Sequence, residues 1–251
     1  MLVSQAIVAV ASLLALFYFF SALSRIAKPY APIVWVALVV QIATGLIYAS
    51  VIFQHGGLTH GATLSLDTRY VFWLLTTPFL VAIFPLFLRT HGVASSLVTR
   101  LVLADICMLA AGYVGESAMA SSGASLNWTS LLAFGVGLMF FVYLLFEILT
   151  NIDLVANNQN TALYRGILAL AVFLGIGWSI YPIAYILNMI IGTAAIGEIS
   201  ELIYVMGDLV NKLLLSVLAV ALALRLSELG EVGDEQEQLW GDASPEEAAL
   251  G

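Results

Sequence analysis

Charge is what this sequence has least of. Only 10% of its 251 residues are Asp, Glu, Lys or Arg, against 62% hydrophobic, and the mean hydropathy is +1.03. A water-soluble domain carries roughly 25% charged residues to solvate its surface. Lipid is therefore the solvent for most of this chain, which excludes a soluble globular enzyme. With 8 Lys and Arg against 16 Asp and Glu, no nucleic-acid partner is expected. A single cysteine, Cys107 in an apolar run, excludes a disulfide framework. The N-terminal MLVSQAIVAVASLLALFYFF lacks a basic n-region and is too long for a cleaved signal peptide. It reads as the first membrane helix.

The shortage of bases is local. Residues 228–251 hold eight acids (Glu228, Glu231, Asp234, Glu235, Glu237, Asp242, Glu246, Glu247) and no Lys or Arg, which accounts for the whole net charge of -8. Such a tail, without hydrophobic period, reads as disordered and solvated. The sequence thus divides into a membrane domain, 1–227, and an acidic tail, 228–251.

What is there in quantity is long apolar runs. A bilayer core needs about 20 apolar residues per helix. Seven such runs lie near 2–25, 31–54, 68–89, 96–117, 127–149, 162–190 and 199–226. Between them stand turn formers such as Lys28-Pro29, Gly56-Gly57, His91-Gly92 and Ser122-Gly123. The fold expected is an all-α, seven-helix transmembrane bundle, multi-pass in the cell (inner) membrane, with lipid as its surroundings. Arg25, Lys28, Arg89, Arg100, Arg165 and Arg225 all fall on one side of it, and the opposite loops carry no base. By the positive-inside rule the N-terminus is outside and the tail inside.

Two bases remain within the spans, Arg69 and Lys212. An ionisable side chain at membrane depth costs a few kcal/mol on insertion scales, about 2.5–3.5 at a helix centre, so a partner or a function holds it there. Asp208 precedes Lys212 by one turn, and Tyr204 and Glu201 continue that face at i-8 and i-11. A structural ion pair is one reading. The other is a lysine kept apolar for carbonyl condensation, where desolvation favours the neutral amine. Opposite it, Trp178, Tyr181, Pro182 and Tyr185 form an aromatic face at i, i+3, i+4 and i+7.

With these residues in view, the chain resembles a microbial rhodopsin over about 225 residues. Arg69-Tyr70-Val71-Phe72-Trp73-Leu74-Leu75-Thr76-Thr77-Pro78 is similar to that family's helix-three signature. Trp178-Ser179-Ile180-Tyr181-Pro182 is similar to its helix-six signature, and Asp208-Leu209-Val210-Asn211-Lys212 to its retinal-lysine motif. Gly112 to Glu116 and Tyr143 to Glu147 are closer to proteorhodopsins than to archaeal pumps. The resemblance implies all-trans retinal as a protonated Schiff base on Lys212. It implies a pocket of Trp73, Thr77, Leu80, Met108, Gly112, Phe134, Gly137, Phe141, Trp178, Tyr181, Pro182 and Tyr185. It also implies a homo-oligomer, trimer or pentamer. Phe134 would fill the opening that admits a carotenoid in some relatives, so no antenna is expected.

Departures from the family pattern bear on function. Where outward pumps carry an aspartate counterion this chain has Phe72, and where many carry a carboxylate donor it has Ile83, so the triplet reads Phe72, Thr76, Ile83. Ile47 replaces the histidine of proteorhodopsin helix two. Asp208 is left as the sole expected carboxylate at the Schiff base, and Lys212, Arg69 and Asp208 sum to one positive charge in excess. Glu201, Glu116, Asp67 or an anion would balance it. Two neighbouring cations favour Asp208 as a carboxylate down into acid. These features imply a light-driven outward proton pump active at acidic pH, a photoreceptor and transporter rather than an enzyme. Glu201, Glu198 and Glu116 are its release groups, and Glu147 or Asp153 helps reprotonation. Asp105 is expected to bond Thr77. The mirror proteorhodopsins, outward pumps inhibited by zinc, are similar in general character, and His55 and His60 would be inhibitory zinc ligands. The alternatives are an inward pump like schizorhodopsins, which share the phenylalanine but carry a glutamate where Ile83 stands, then an anion pump or a photosensor.

Overall fold

In hydrocarbon every backbone polar group has to be satisfied within the chain, and an apolar run does so as a helix. The structure, a computed structural model, describes residues 2–54, 64–88, 96–122, 126–156, 161–191 and 194–230. Five crossings are single helices: α1 (Leu2–Leu23), α2 (Ala31–Gln54), α3 (Leu66–Leu88), α4 (Ser96–Ser122) and α5 (Trp128–Ala156). The sixth is split into α6 (Thr161–Trp178) and α7 (Ile180–Ile191). The seventh runs as α8 (Ala194–Asp208), a π turn (Leu209–Leu214) and α9 (Leu215–Glu228). Seven stretches are long and apolar enough to cross a bilayer, and no strand occurs among the described residues. α4 and α5 outrun their apolar cores, reaching Ser122 and Ala156, because polar residues at a membrane surface continue a helix as readily as apolar ones.

Helices adjacent in sequence pack against each other, from α1 on α2 through to α5 on α6, and α9 closes the ring against α6 and α2. Of the spans, α3 is the most buried and α5 the least. α3 therefore forms the axis of the bundle and brings Arg69, Phe72, Trp73, Thr76 and Thr77 into its interior. Large apolar side chains such as Phe17, Trp35, Phe53, Trp128 and Ile176 stay exposed, as a lipid-facing surface requires. Ile83 is fully buried in an apolar cluster with Leu80, Phe84, Leu97 and Leu101.

Both interruptions have local causes. Pro182 has no N–H to offer the Trp178 carbonyl, and the sixth span breaks at Ser179, bridged by Ser179 N–H to Gly175 O (3.2 Å) and Ile183 N–H to Ser179 O (3.3 Å). In the seventh, Leu215 N–H is shared between the carbonyls of Lys212 and Val210, the i to i+5 reach of a π turn. Gly177 lets α6 approach that turn, since a Cβ there would meet the Asn211 carboxamide. The approach is sealed by Asn211 Nδ2 donating to Gly177 O at 2.9 Å.

Candidate functional site

Lys212 lies in the π turn, fully buried, and makes an ion pair with Asp208, itself 1% exposed. A buried charge is tolerated only when paired and hydrogen-bonded, and Asp208 is held on both oxygens. Tyr48 Oη donates to Oδ2 at 2.7 Å, while Tyr181 Oη and Trp73 Nε1 donate to Oδ1 at 2.9 and 3.1 Å. No other carboxylate forms an ion pair with Lys212 among the described residues. The Phe72 ring supplies the facing wall, its centroid 4.4 Å from Nζ. An aromatic face stabilises a cation and accepts no proton. Thr76 does not join the pair, because its hydroxyl donates to the carbonyls of Phe72 (2.8 Å) and Trp73 (3.3 Å) on its own helix.

Sequence reasoning missed Tyr48. Its signal is the polar stripe Gln41, Thr44, Tyr48 on α2, at i, i+3 and i+7.

Beyond Trp73 and Tyr181 opens a cavity with mostly apolar walls. Trp73, Thr77, Met108, Gly112, Phe134, Gly137, Phe141, Trp178, Tyr181, Pro182 and Tyr185 line it. Two residues of the implied pocket do not. Leu80 is packed into the apolar cluster around Ile83. Lys212 is drawn to Asp208, leaving Nζ 5.8 Å from the centroid of the wall residue Trp73. Glu116 and Tyr204 line the cavity as well. Asp105 is buried and accepts from Thr77 Oγ1 at 2.7 Å, tying α4 to α3.

Toward the end of the bundle that carries the N-terminus lies the second charged group. Arg69, 5% exposed, pairs with Glu201 and, at 3.6 Å, with Glu116. It also donates to Leu64 O at 3.4 Å and stacks 4.5 Å from the Tyr204 centroid. Tyr204 Oη donates to Glu116 Oε1 at 2.6 Å. A small cavity has Asp208, Tyr48, Arg69, Tyr204 and Glu201 in its wall, so the two charged groups adjoin one space. The excess positive charge counted from sequence is thereby reversed. Glu116 and Glu201 both sit on Arg69, because the turn spacing of α8 and the Gly112 to Glu116 turn of α4 converge there.

Glu147, expected to help reprotonation, is held by partners from two helices. It accepts from Arg100 Nη2 and Nε at 2.9 and 3.2 Å and from Tyr143 Oη at 2.8 Å, so it clamps α5 to α4 instead of standing free. The side chain of Glu198, the loop histidines His55 and His60, and residues 231–251 of the acidic tail lie outside the described residues.

A seven-helix membrane bundle with a buried lysine and aspartate beside an aromatic slot defines a class. The chain belongs to the bacteriorhodopsin-like protein family, whose profile matches residues 1–226. It is 30% identical over 164 residues, 63% of its length, to the green-light absorbing proteorhodopsin of Gamma-proteobacterium EBAC31A08, and that match spans 61% of the relative. It is 28% identical over 182 residues to sensory rhodopsin-2 of Haloarcula vallismortis, covering 69% of this chain and 70% of that one. Among solved structures, Exiguobacterium sibiricum rhodopsin superposes with a TM-score of 0.79 at 27% identity, over 91% of this chain and 97% of the other. The protein is a multi-pass cell-membrane protein of this family. Its cofactor is retinal, bound in this family as a Schiff base. The residues present fit it, with an aromatic slot for a polyene and a buried lysine with its counter-charge at one end.

Proposed function

We propose that this protein is a light-driven outward proton pump in which Lys212 holds the retinal and Asp208 alone accepts the proton. Retinal, when bound, supplies light absorption and an isomerisation that changes the proton affinity at Nζ. The chain's own residues do the rest. Asp208 is the carboxylate on Lys212, and it adjoins the cavity whose wall also holds Arg69 and Glu201. That arrangement is the observation carrying the proposal, since it gives a proton leaving Nζ a destination on the side of the N-terminus. The placement of bases argues that this side is outside.

Tyr48, Tyr181 and Trp73 donate to Asp208 and orient it. Phe72 keeps a second acceptor away from Nζ. Arg69, Glu116 and Glu201 form the release group. Lys212 and Arg69 against Asp208, Glu116 and Glu201 sum to one negative charge, and a proton shared by the two glutamates brings the five to zero. This proton is the one released when Asp208 is neutralised and the positive charge of Arg69 is left to bear on the glutamates.

The test is external pH in unbuffered, retinal-supplied cells under illumination, with and without a protonophore. Acidification abolished by the protonophore supports the proposal. Alkalinisation abolished by it means inward pumping, and alkalinisation enhanced by it means passive proton entry driven by another ion. A coloured protein that moves no protons is a sensor.

A further inference from the structure

A single π turn shifts the hydrogen-bond register of a helix and leaves its carbonyls short of their ordinary partners. In the seventh span this happens at the residue that matters most. Leu215 N–H is divided between the carbonyls of Val210 and Lys212. The Lys212 carbonyl takes a second donor from another helix, Gln41 Nε2, at 2.8 Å. Gln41 and Lys212 are both fully buried. Gln41 Oε1 has no hydrogen-bond partner, so the carboxamide is anchored through its nitrogen alone.

Seven residues along the same face of α2, Tyr48 donates to Asp208 at 2.7 Å. Residues i and i+7 are two turns apart and point the same way, and on the lysine helix Asp208 and Lys212 are one turn apart. One helix therefore grips the bulged turn at two points, the carboxylate that faces Nζ and the backbone that carries it. A glutamine at membrane depth is costly for packing alone, and leucine fills the same space without a polar atom. Its retention against the lysine's own carbonyl, at a π turn where one N–H is shared between two carbonyls, is what requires explanation. Thr44, between the two on α2, bonds only its own helix at Val40 O, so the stripe is not uniformly directed at the seventh span.

We infer that Gln41 is a positioning residue for Lys212: its carboxamide adds a second donor to the Lys212 carbonyl at the π turn, and so holds the lysine's backbone while Nζ changes partners and returns. The inference rests on Lys212 being the attachment residue. It goes beyond that reading by assigning α2 a role in resetting the site.

The chain has two lysines, Lys28 and Lys212, so a label in lysine carbonyl carbon reports on two sites. The experiment combines carbonyl-¹³C lysine with side-chain-¹⁵N glutamine in the unaltered chain, without retinal and with it, and measures ¹³C–¹⁵N dipolar coupling by solid-state NMR. A coupling of one lysine carbonyl to a glutamine side-chain nitrogen is expected in both forms, and it disappears in Gln41→Met, while Thr44→Val leaves it intact. In the coloured protein, Gln41→Met slows recovery of the starting absorption after a flash by roughly tenfold, the size of one net hydrogen bond. Absence of the coupling from the unaltered chain overturns the contact, and unchanged recovery in a coloured Gln41→Met overturns its role. The coupling is read without light or transport. If Lys212→Ala keeps its colour or no protons move, the functional reading fails, whatever the NMR shows.

Discussion

Asp208 carries the account at the scale of single residues, and its donors are where a substitution reads most clearly. Tyr48→Phe removes the 2.7 Å donor to Oδ2 without changing volume. Interhelical hydrogen bonds in membranes average about 0.6 kcal/mol, and those to charged groups reach about 1.5–3 kcal/mol. A loss near 1.5–2 kcal/mol is expected, visible as a lower thermal midpoint, together with a displaced absorption maximum because the charge facing Nζ is less confined. Retention of both would remove Tyr48 from the site. The ion pair itself was legible from sequence, since a turn's spacing in an apolar helix leaves Asp208 and Lys212 little choice. The network around Arg69 was legible only in part. Glu201 follows from the stripe on its own helix, whereas the approach of Glu116 and the inward turn of Tyr48 depend on helix rotations that apolar spans with little amphipathicity do not encode. Thr76 shows the converse: it has the right position on α3, but its hydroxyl finds its own backbone first.

At the scale of helices, the seven crossings follow from apolar length, while the breaks within them depend on particular residues. The split at Ser179 is foreshadowed by Pro182. The π turn has no sequence signature here, and only the contacts of Asn211, Gln41 and Gly177 with it reveal why it is tolerated. Gly177→Val places two methyls where the Asn211 carboxamide lies, and a destabilisation of about 1–3 kcal/mol is expected from overpacking, measured as a fall in thermal midpoint and slower retinal uptake. Arg100→Gln is a contrast. Its bond to Glu147 bridges α4 and α5, but the arginine side chain is 39% exposed, so the change should cost no more than about 1 kcal/mol and leave light-driven proton movement intact. A large loss of transport in Arg100→Gln would place the Arg100–Glu147 pair on the proton path.

On the scale of the whole molecule, the scarcity of charge fixes the solvent, and the placement of the few bases argues for one orientation. Arg25, Lys28, Arg100, Arg165 and Arg225 stand at one end of the bundle, and Arg69, Glu116 and Glu201 lie toward the other. The positive-inside rule puts the former in the cytoplasm. An epitope tag appended after Gly251 should accordingly be hidden from antibody in intact cells and reached after permeabilisation. Labelling in intact cells would reverse the direction assigned to the same proton transfer. The bundle was legible in the sequence because it depends on composition summed over many residues. The path through it depends on a handful of side-chain contacts.

The most direct measurement is the light-minus-dark infrared difference spectrum in the carboxylic-acid region. It compares the unaltered protein with Asp208→Asn, Glu116→Gln and Glu201→Gln. The account predicts a carboxyl C=O band that appears as Nζ loses its proton, is absent in Asp208→Asn, and persists in both glutamine variants. Outward transport should vanish with the band. A band that survives in Asp208→Asn, or outward pumping by that variant at the parent rate, would contradict Asp208 as the acceptor.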